Sequence, residues 1–191
     1  MGIFNKLFGG RKPLEPKKSN AEDVVVIVRQ DITDPEKQFA MGCTFFAGKE
    51  VPQNYAEAAK WFRKAAEQGH REAQCALATS YHGGVGVSQD TKEAYHWYLK
   101  AAEQGHSSAQ RTVGIACLNG EAMPKDISAA IRWLQQAADQ GDAGAQYNLG
   151  VCYYNGNGVQ KDEGKAVVLL NRAAAGGHER AIQVVRQLRS S

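Results

Sequence analysis

The apolar residues of the chain fall in stripes that are typical of α-helices. One stripe has the spacing i, i+3, i+4, i+7, i+8 and consists of Ala94, Trp97, Tyr98, Ala101 and Ala102. Another has four-residue steps and consists of Ala145, Leu149 and Tyr153. Either spacing places its members on one face of a helix. The pattern therefore predicts amphipathic helices that each bury one side.

These stripes recur along the chain with a step of 36 residues. Two sets of glycines share the step, namely Gly48, Gly84, Gly120 and Gly156, and Gly69, Gly105, Gly141 and Gly177. Trp61, Trp97 and Trp133 follow it too, with Leu169 in the fourth place. Four helix–turn–helix units without insertions are predicted at 37–72, 73–108, 109–144 and 145–180. A unit of two helices cannot bury its apolar face alone, so stacked units must supply the core.

Polar residues mark the predicted helix starts. The second helix of each unit begins at a side chain that accepts hydrogen bonds from free backbone N–H groups, namely Asn54, Asp90, Asp126 and Asp162. His70, His106 and His178 recur at the start of the first helices, and Asp142 takes the remaining place. Since either side chain can accept such a bond, the exchange favours a helix-start role over a metal site.

Small residues lie in the middle of the first helices. They are Gly42, Ala78, Gly114 and Gly150. A mid-helix glycine costs about 1 kcal/mol relative to alanine, so a compensating contact is expected. We predict close approach of the partner helix, opposite the recurring Ala-Ala pairs.

The repeated sequence resembles a known family. The pattern is Ala-x-x-x-Leu-Gly-x-x-Tyr, a glycine-rich loop, Asp, and then Ala-x-x-Trp-x-x-x-Ala-Ala-x-x-Gly, and it resembles the Sel1-like repeat, a relative of the tetratricopeptide repeat. The resemblance covers residues 37–180. It implies an all-α, right-handed α/α superhelical solenoid and a non-catalytic role as scaffold or adaptor. Glu50 and Ala122 replace a loop glycine, so local loop differences are expected.

The two ends of the chain depart from the repeat. Residues 1–20 carry five basic groups and one acid, so 1–18 are predicted to form a flexible basic tail, with weak membrane-surface contact through residues 1–12. Residues 19–36 are predicted to be an N-terminal cap segment. Their register favours a helix, whereas the β-branched run Val24–Val28 fits a strand. Residues 181–191 are predicted to form a C-terminal capping helix, in which Ile182, Val185 and Leu188 face inward.

The charge of the chain and its sequence motifs exclude several classes of function. The net charge is +3, but the residues after position 20 sum to −1, which argues against nucleic acid as a partner. The sequence has no H-E-x-x-H, S-x-x-K or G-x-S-x-G motif and no P-loop. We therefore predict no catalysis, no cofactor and no metal site.

Cysteine usage bears on the compartment. The four cysteines, Cys43, Cys75, Cys117 and Cys152, form no C-x-x-C pair, and free thiols in the cytoplasm are predicted. Some secreted Sel1-like proteins carry a disulfide within each repeat and some bind β-lactams, so a β-lactam-binding or hydrolysing enzyme is the alternative. No unit here holds two cysteines, which disfavours that alternative.

The resemblance also implies where a partner binds. In tetratricopeptide-like superhelices the first helix of each unit lines the concave face. Counting from the mid-helix small residues gives a candidate groove for a partner's peptide or helix. Its residues are Phe39, Phe46, Cys75, Thr79, His82, Arg111, Ile115, Leu118, Asn119, Tyr147, Val151, Tyr154 and Asn155, with Cys43 beside them. Arg111 and the two Asn amides would orient a backbone or carboxylate. Cover by residues 1–32, or by a second copy of the chain, is the other interpretation of this apolar surface.

Overall fold

The helices predicted from the 36-residue step are present in the computed structural model, which describes residues 32–48 and 51–190. The predicted tail (1–18) lies outside these described residues, as does most of the predicted cap segment (19–36). Along the described residues the helices are α1 Pro35–Ala47, α2 Tyr55–Glu67, α3 Arg71–Gly83, α4 Thr91–Glu103, α5 Ser107–Asn119, α6 Ile127–Asp139, α7 Ala143–Asn155, α8 Glu163–Ala175 and α9 Glu179–Ser190. No strand occurs among them, so the all-α fold is confirmed.

The helix starts lie at the predicted polar residues. The side chains of Asn54, Asp90, Asp126 and Asp162 each accept a hydrogen bond from the backbone N–H three residues later. The first helices start in the same way. His70 Nδ1 accepts from the Ala73 N–H at 3.1 Å, and Asp142 Oδ1 accepts from the Ala145 N–H at 2.7 Å. The predicted helix-start role of the recurring histidines is therefore confirmed.

Helices pair within each unit and then stack. Each first helix packs on the second helix of its own unit, and that second helix also packs on the first helix of the next unit. The first helices α5 and α7 touch directly as well. The largest side chains that are fully removed from solvent are Leu77, Val113, Leu134 and Leu149. None of the helices in 32–48 and 51–190 is both long and apolar enough to cross a membrane.

The mid-helix glycines lie where two helices of one unit approach closely. A Cβ on Gly42 would overlap the Phe62 ring, and one on Gly114 would lie 2.9 Å from Leu134 Cγ. Close approach is confirmed, but the residue opposite the glycine lies three positions before the Ala-Ala pair. The prediction that the Ala-Ala pairs lie opposite the glycines is therefore wrong. Instead, a large side chain fills the space above each glycine.

A ladder of buried glutamines joins successive units. Gln74, Gln110 and Gln146 each donate an amide hydrogen bond to a carbonyl of the preceding second helix, at 3.1–3.2 Å. Gln74 and Gln110 also accept from Gln104 and Gln140, both at 2.7 Å. Because buried amides need partners, the ladder fixes the register between units. The ladder was not predicted, although these glutamines follow the same 36-residue step.

Ala122 adopts a left-handed backbone conformation, with φ of 57°. Glycines take the equivalent places, Gly86 and Gly158, with φ of 75° and 72°. We expect Ala122→Gly to raise the free energy of unfolding by about 0.5–1 kcal/mol, because glycine adopts this region without steric cost. Urea denaturation measures the change. The reciprocal variant Gly158→Ala should be destabilised, since its Cβ would also overlap Ile127. If the Ala122→Gly protein were less stable than the native chain, the backbone at Ala122 would not be strained.

Candidate binding groove

All thirteen residues predicted for the groove lie on first helices, and each is at least partly accessible to solvent. We call these thirteen residues the first-helix stripe. Its exposed large hydrophobic side chains are Phe46, at 45%, and Tyr154, at 49%. The stripe runs through all four units, from α1 to α7. A largely apolar surface of this length is unusual for a face that meets only water.

The first stripe position in three of the units contacts the helix start of the next unit. The Phe39 ring stacks on His70 with centroids 4.7 Å apart, and Tyr147 stacks on His178 at 4.4 Å. Arg111 Nε instead forms an ion pair with Asp142 Oδ1 at 3.1 Å. The two aromatic residues therefore contact histidines, and the arginine contacts an aspartate. This pairing explains why Asp142 replaces histidine in one unit.

Two of the polar residues predicted to orient a partner are held by internal contacts. One is Arg111, through its ion pair with Asp142. The other is Asn119, whose side-chain amide donates to Glu121 Oε1 at 2.9 Å. The Tyr95 hydroxyl also donates to Glu121, at 3.2 Å. Burial, reinforced by the charge of Glu121, raises the pKa of Tyr95 to about 12, so this donor stays protonated at neutral pH.

The stripe is more polar in the second unit. Thr79 Oγ1 donates to the Cys75 carbonyl at 2.9 Å and lies 3.1 Å from the Tyr98 hydroxyl. Cys75 Sγ lies 3.8 Å from Ser108 Oγ. Despite these contacts Thr79 remains exposed. An added side chain at this position would therefore project from the surface rather than into the core.

The stripe ends in an apolar cavity of about 350 Å³ between α7, α8 and α9, which we call the C-terminal cavity. Its lining residues are Val151, Tyr154, Leu170, Val184, Gln187 and Leu188. Lys161 Nζ lies 5.7 Å from the centroid of the Tyr154 ring. The predicted inward orientation of Leu188 is wrong, because its side chain faces this cavity and is 46% exposed.

The repeated units identify the family. The model of the Sel1 repeat matches residues 36–70, 71–106, 107–142 and 143–178. The chain belongs to the Sel1 repeat family. Sel1 repeat proteins generally act as protein–protein interaction scaffolds. No curated protein matches the chain.

Solved structures agree with this assignment. A Sel1 repeat protein from Oxalobacter formigenes is 33% identical, over 86% of this chain and 68% of that one, with a TM-score of 0.75. The protein c5321, a protective antigen of uropathogenic Escherichia coli strains with an SLR fold, is 32% identical with a TM-score of 0.75. That match covers 85% of this chain and 34% of c5321, so the chain spans about a third of its length. Cysteine rich protein B of Helicobacter pylori is 26% identical, over 72% of this chain and 98% of that one, with a TM-score of 0.54.

The cysteines of these Sel1 repeats are all free thiols. Burial raises the pKa of Cys75, Cys117 and Cys152, so these thiols are protonated at neutral pH and are weak nucleophiles. No group of three or more His, Cys, Asp or Glu side chains in residues 32–48 and 51–190 is arranged to hold a metal ion. The four free cysteines give no support to the β-lactam alternative.

His106 gives the Sel1 array a pH-dependent helix start. Its Nδ1 accepts from the Ala109 N–H at 3.4 Å, and burial lowers the pKa of the ring. The folded state therefore favours the neutral imidazole. Its contribution to stability is complete above the unfolded pKa, about 6.5, and is lost as the pH falls below that value. We expect the melting temperature of the native chain to fall more between pH 7.5 and pH 5.5 than that of His106→Asn, which keeps a capping oxygen and cannot titrate.

The control for this pH effect is His96→Asn, on the exposed side of α4. It should retain the pH dependence of the native chain, because His96 caps no helix. If the melting temperatures of His106→Asn and of the native chain fall by the same amount between these two pH values, protonation of His106 does not weaken the helix start.

Proposed function

We propose that this protein is a non-catalytic scaffold or adaptor that binds an extended peptide or a helix of a partner protein along the first-helix stripe. The observation that carries the proposal is the continuous accessibility of the stripe. Its apolar side chains stay at least partly exposed in all four units, although apolar residues on another face of the same helices, such as Leu77, Val113 and Leu149, are buried. Such patches on soluble proteins mark interaction sites.

The shape of the stripe supports a linear partner. Stacked repeats place equivalent positions at regular intervals along one surface, and extended peptides or helices use regularly spaced anchors. Contacts with the next unit hold the side chains of Phe39, Arg111 and Tyr147 in place. These side chains therefore lose little conformational entropy when a partner binds. We further propose a cytoplasmic location, which the free thiols support, and no nucleic-acid partner, which the near-neutral charge supports.

A steric block at the middle of the stripe tests the proposal. Peptides are first selected from a random display library on the immobilised full chain, and their affinities are then measured for Thr79→Arg. The matched control is Thr91→Arg, which places the same side chain on the exposed start of the second helix α4. We expect the Thr79 variant to weaken binding about tenfold or more, because the added guanidinium fills the path of the peptide.

The Thr91 variant should bind within about twofold of the native chain. Circular dichroism should show the same helix content for both variants, since both threonines are exposed. Equal binding by the Thr79 variant, or loss of binding confined to the Thr91 variant, would move the site away from the first helices.

A further inference from the structure

Helix α9, the last helix of the described residues, has an apolar surface beside the C-terminal cavity. The helix takes the place of a first helix in a fifth unit, but Arg186 stands at the position of Gly114 and Gly150. That glycine is where the second helix of the same unit approaches most closely. The long Arg186 side chain therefore disfavours the close helix packing found at Gly114 and Gly150.

The residues around the cavity are more exposed than their equivalents in earlier units. Leu188 is 46% exposed, whereas Cys152 and Ala116 at the equivalent positions are 3% and 0% exposed. Tyr154, on the other side of the cavity, is 49% exposed. The cavity volume of about 350 Å³ lies within the range of about 300–1,000 Å³ that is usual for ligand sites. Its size suits one large apolar side chain.

The balance of basic and acidic residues differs between this end and the rest of the solenoid. Residues 156–190 contain six Lys or Arg and three Asp or Glu, whereas residues 32–155 contain eleven basic and thirteen acidic residues. Lys161 lies at the ring of Tyr154 and pairs with Glu163 at 2.9 Å, with both side chains more than half exposed. Arg180 lies one helical turn before Val184 on the same face of α9. Basic residues therefore outnumber acidic ones at this end of the solenoid.

We propose that the C-terminal cavity binds one large apolar side chain of an acidic partner peptide. The apolar group enters between α7 and α9, and carboxylates on either side of it meet Lys161 and Arg180. This inference rests on the proposed function, since the cavity is the last site along the first-helix stripe. The cavity would act as the anchor that fixes the register of the partner in the groove.

Charge also argues against the chain's first twelve residues as the occupant. They contain the apolar residues Ile3, Phe4, Leu7 and Phe8, but their charged residues, Lys6, Arg11 and Lys12, are all basic. Like charges on a peptide and on this basic end of the solenoid weaken docking. An acidic sequence with the same apolar content avoids this repulsion.

Synthetic nonapeptides test the proposal on the full chain by fluorescence anisotropy. The first has a central Trp flanked on both sides by alternating Asp and Glu, the second has Ala at the centre, and the third keeps Trp but has Lys flanks. We expect the acidic Trp peptide to bind about tenfold or more tightly than either of the others. Raising the salt concentration should weaken its binding, because the flanking contacts are ionic.

Two variants test whether the peptide binds in the cavity. Val184→Trp fills the cavity with an apolar group, and Leu188→Asp adds a negative charge at its mouth. Each should remove the preference for the acidic Trp peptide. The matched controls Val168→Trp and Val168→Asp change a half-exposed residue of α8 and should preserve it. Helix content measured by circular dichroism confirms that each variant is folded.

Several results would overturn the proposal. They are equal binding of the Trp and Ala peptides, equal binding of the Lys peptide, and a folded Val184→Trp protein that keeps the preference. Tighter binding of a peptide with the chain's first twelve residues would assign the cavity to the chain itself. If Thr79→Arg blocks the display-selected peptides while Val184→Trp has no effect on them or on the nonapeptides, the proposed function stands and the anchor does not.

Discussion

Replacing Leu134 by alanine is expected to lower the free energy of unfolding by about 2–5 kcal/mol. Leu134 is fully buried in α6, where it lies above Gly114 of α5. Truncation removes apolar contacts and leaves a cavity that close-packed helices cannot fully close. Urea denaturation followed by circular dichroism measures the change. Because stacked repeats depend on their neighbours, the loss should affect units on both sides of the substituted one.

A second substitution tests the reason for this sensitivity. In the native chain, Gly114→Ala places a Cβ 2.9 Å from Leu134 Cγ and should be destabilising. In the Leu134→Ala background the same substitution should be stabilising, because the two closest atoms are gone, the Ala130 carbonyl oxygen at 3.3 Å is the remaining close contact, and alanine favours a helix by about 1 kcal/mol over glycine. A double-mutant cycle measures this reversal of sign. If Gly114→Ala has the same effect in both backgrounds, the two residues do not face each other.

The combined variant Tyr147→Ala and Tyr154→Ala is expected to weaken binding of a display-selected peptide by about 2–4 kcal/mol, or 30-fold to 1,000-fold. Aromatic side chains supply large apolar contact area at low entropic cost, and these two lie on one helix of the stripe. Tyr147 also stacks on His178, so its removal loosens the start of α9. Isothermal titration calorimetry measures the affinity.

His96→Ala combined with Val168→Ala is the matched control for the tyrosine variant. These residues are exposed on the second helices α4 and α8, so their truncation should change affinity by less than about twofold. Both proteins should keep native helix content. Unchanged binding by the tyrosine variant would show that the end of the stripe contributes nothing to recognition.

The helices and their order were predictable because their signals are local. A side chain such as Asp90 caps a helix through an N–H three residues away, and the 36-residue step repeats that signal in every unit. The apolar stripes likewise reflect the period of one helix. The accessibility of the stripe also follows from register, since residues three or four positions apart share a face.

Contacts between units were not predicted, because they depend on how helices stack. Phe39 and His70, Arg111 and Asp142, and Tyr147 and His178 all meet across 31 residues. The sequence contains this spacing, but helical periodicity does not indicate which face of one unit meets the next.

The placement of apolar residues at the C-terminal end was missed for the same reason. Leu188 shares a helical face with buried residues of α9, so the pattern predicted that it would face inward. Its neighbours across the interface, Val151 and Tyr154, do not close over it. Whether an interface is filled depends on the sizes of side chains from three helices. That information is not local.

Amide chemical shifts of the full chain, followed by NMR during titration with a display-selected peptide, locate the binding surface without any substitution. The largest changes should fall on the first helices, at positions such as Thr79, Ile115 and Val151, while the exposed sides of α4 and α6 remain unchanged. Changes concentrated on those second helices, at Lys92 or Arg132 for example, would contradict binding along the first-helix stripe.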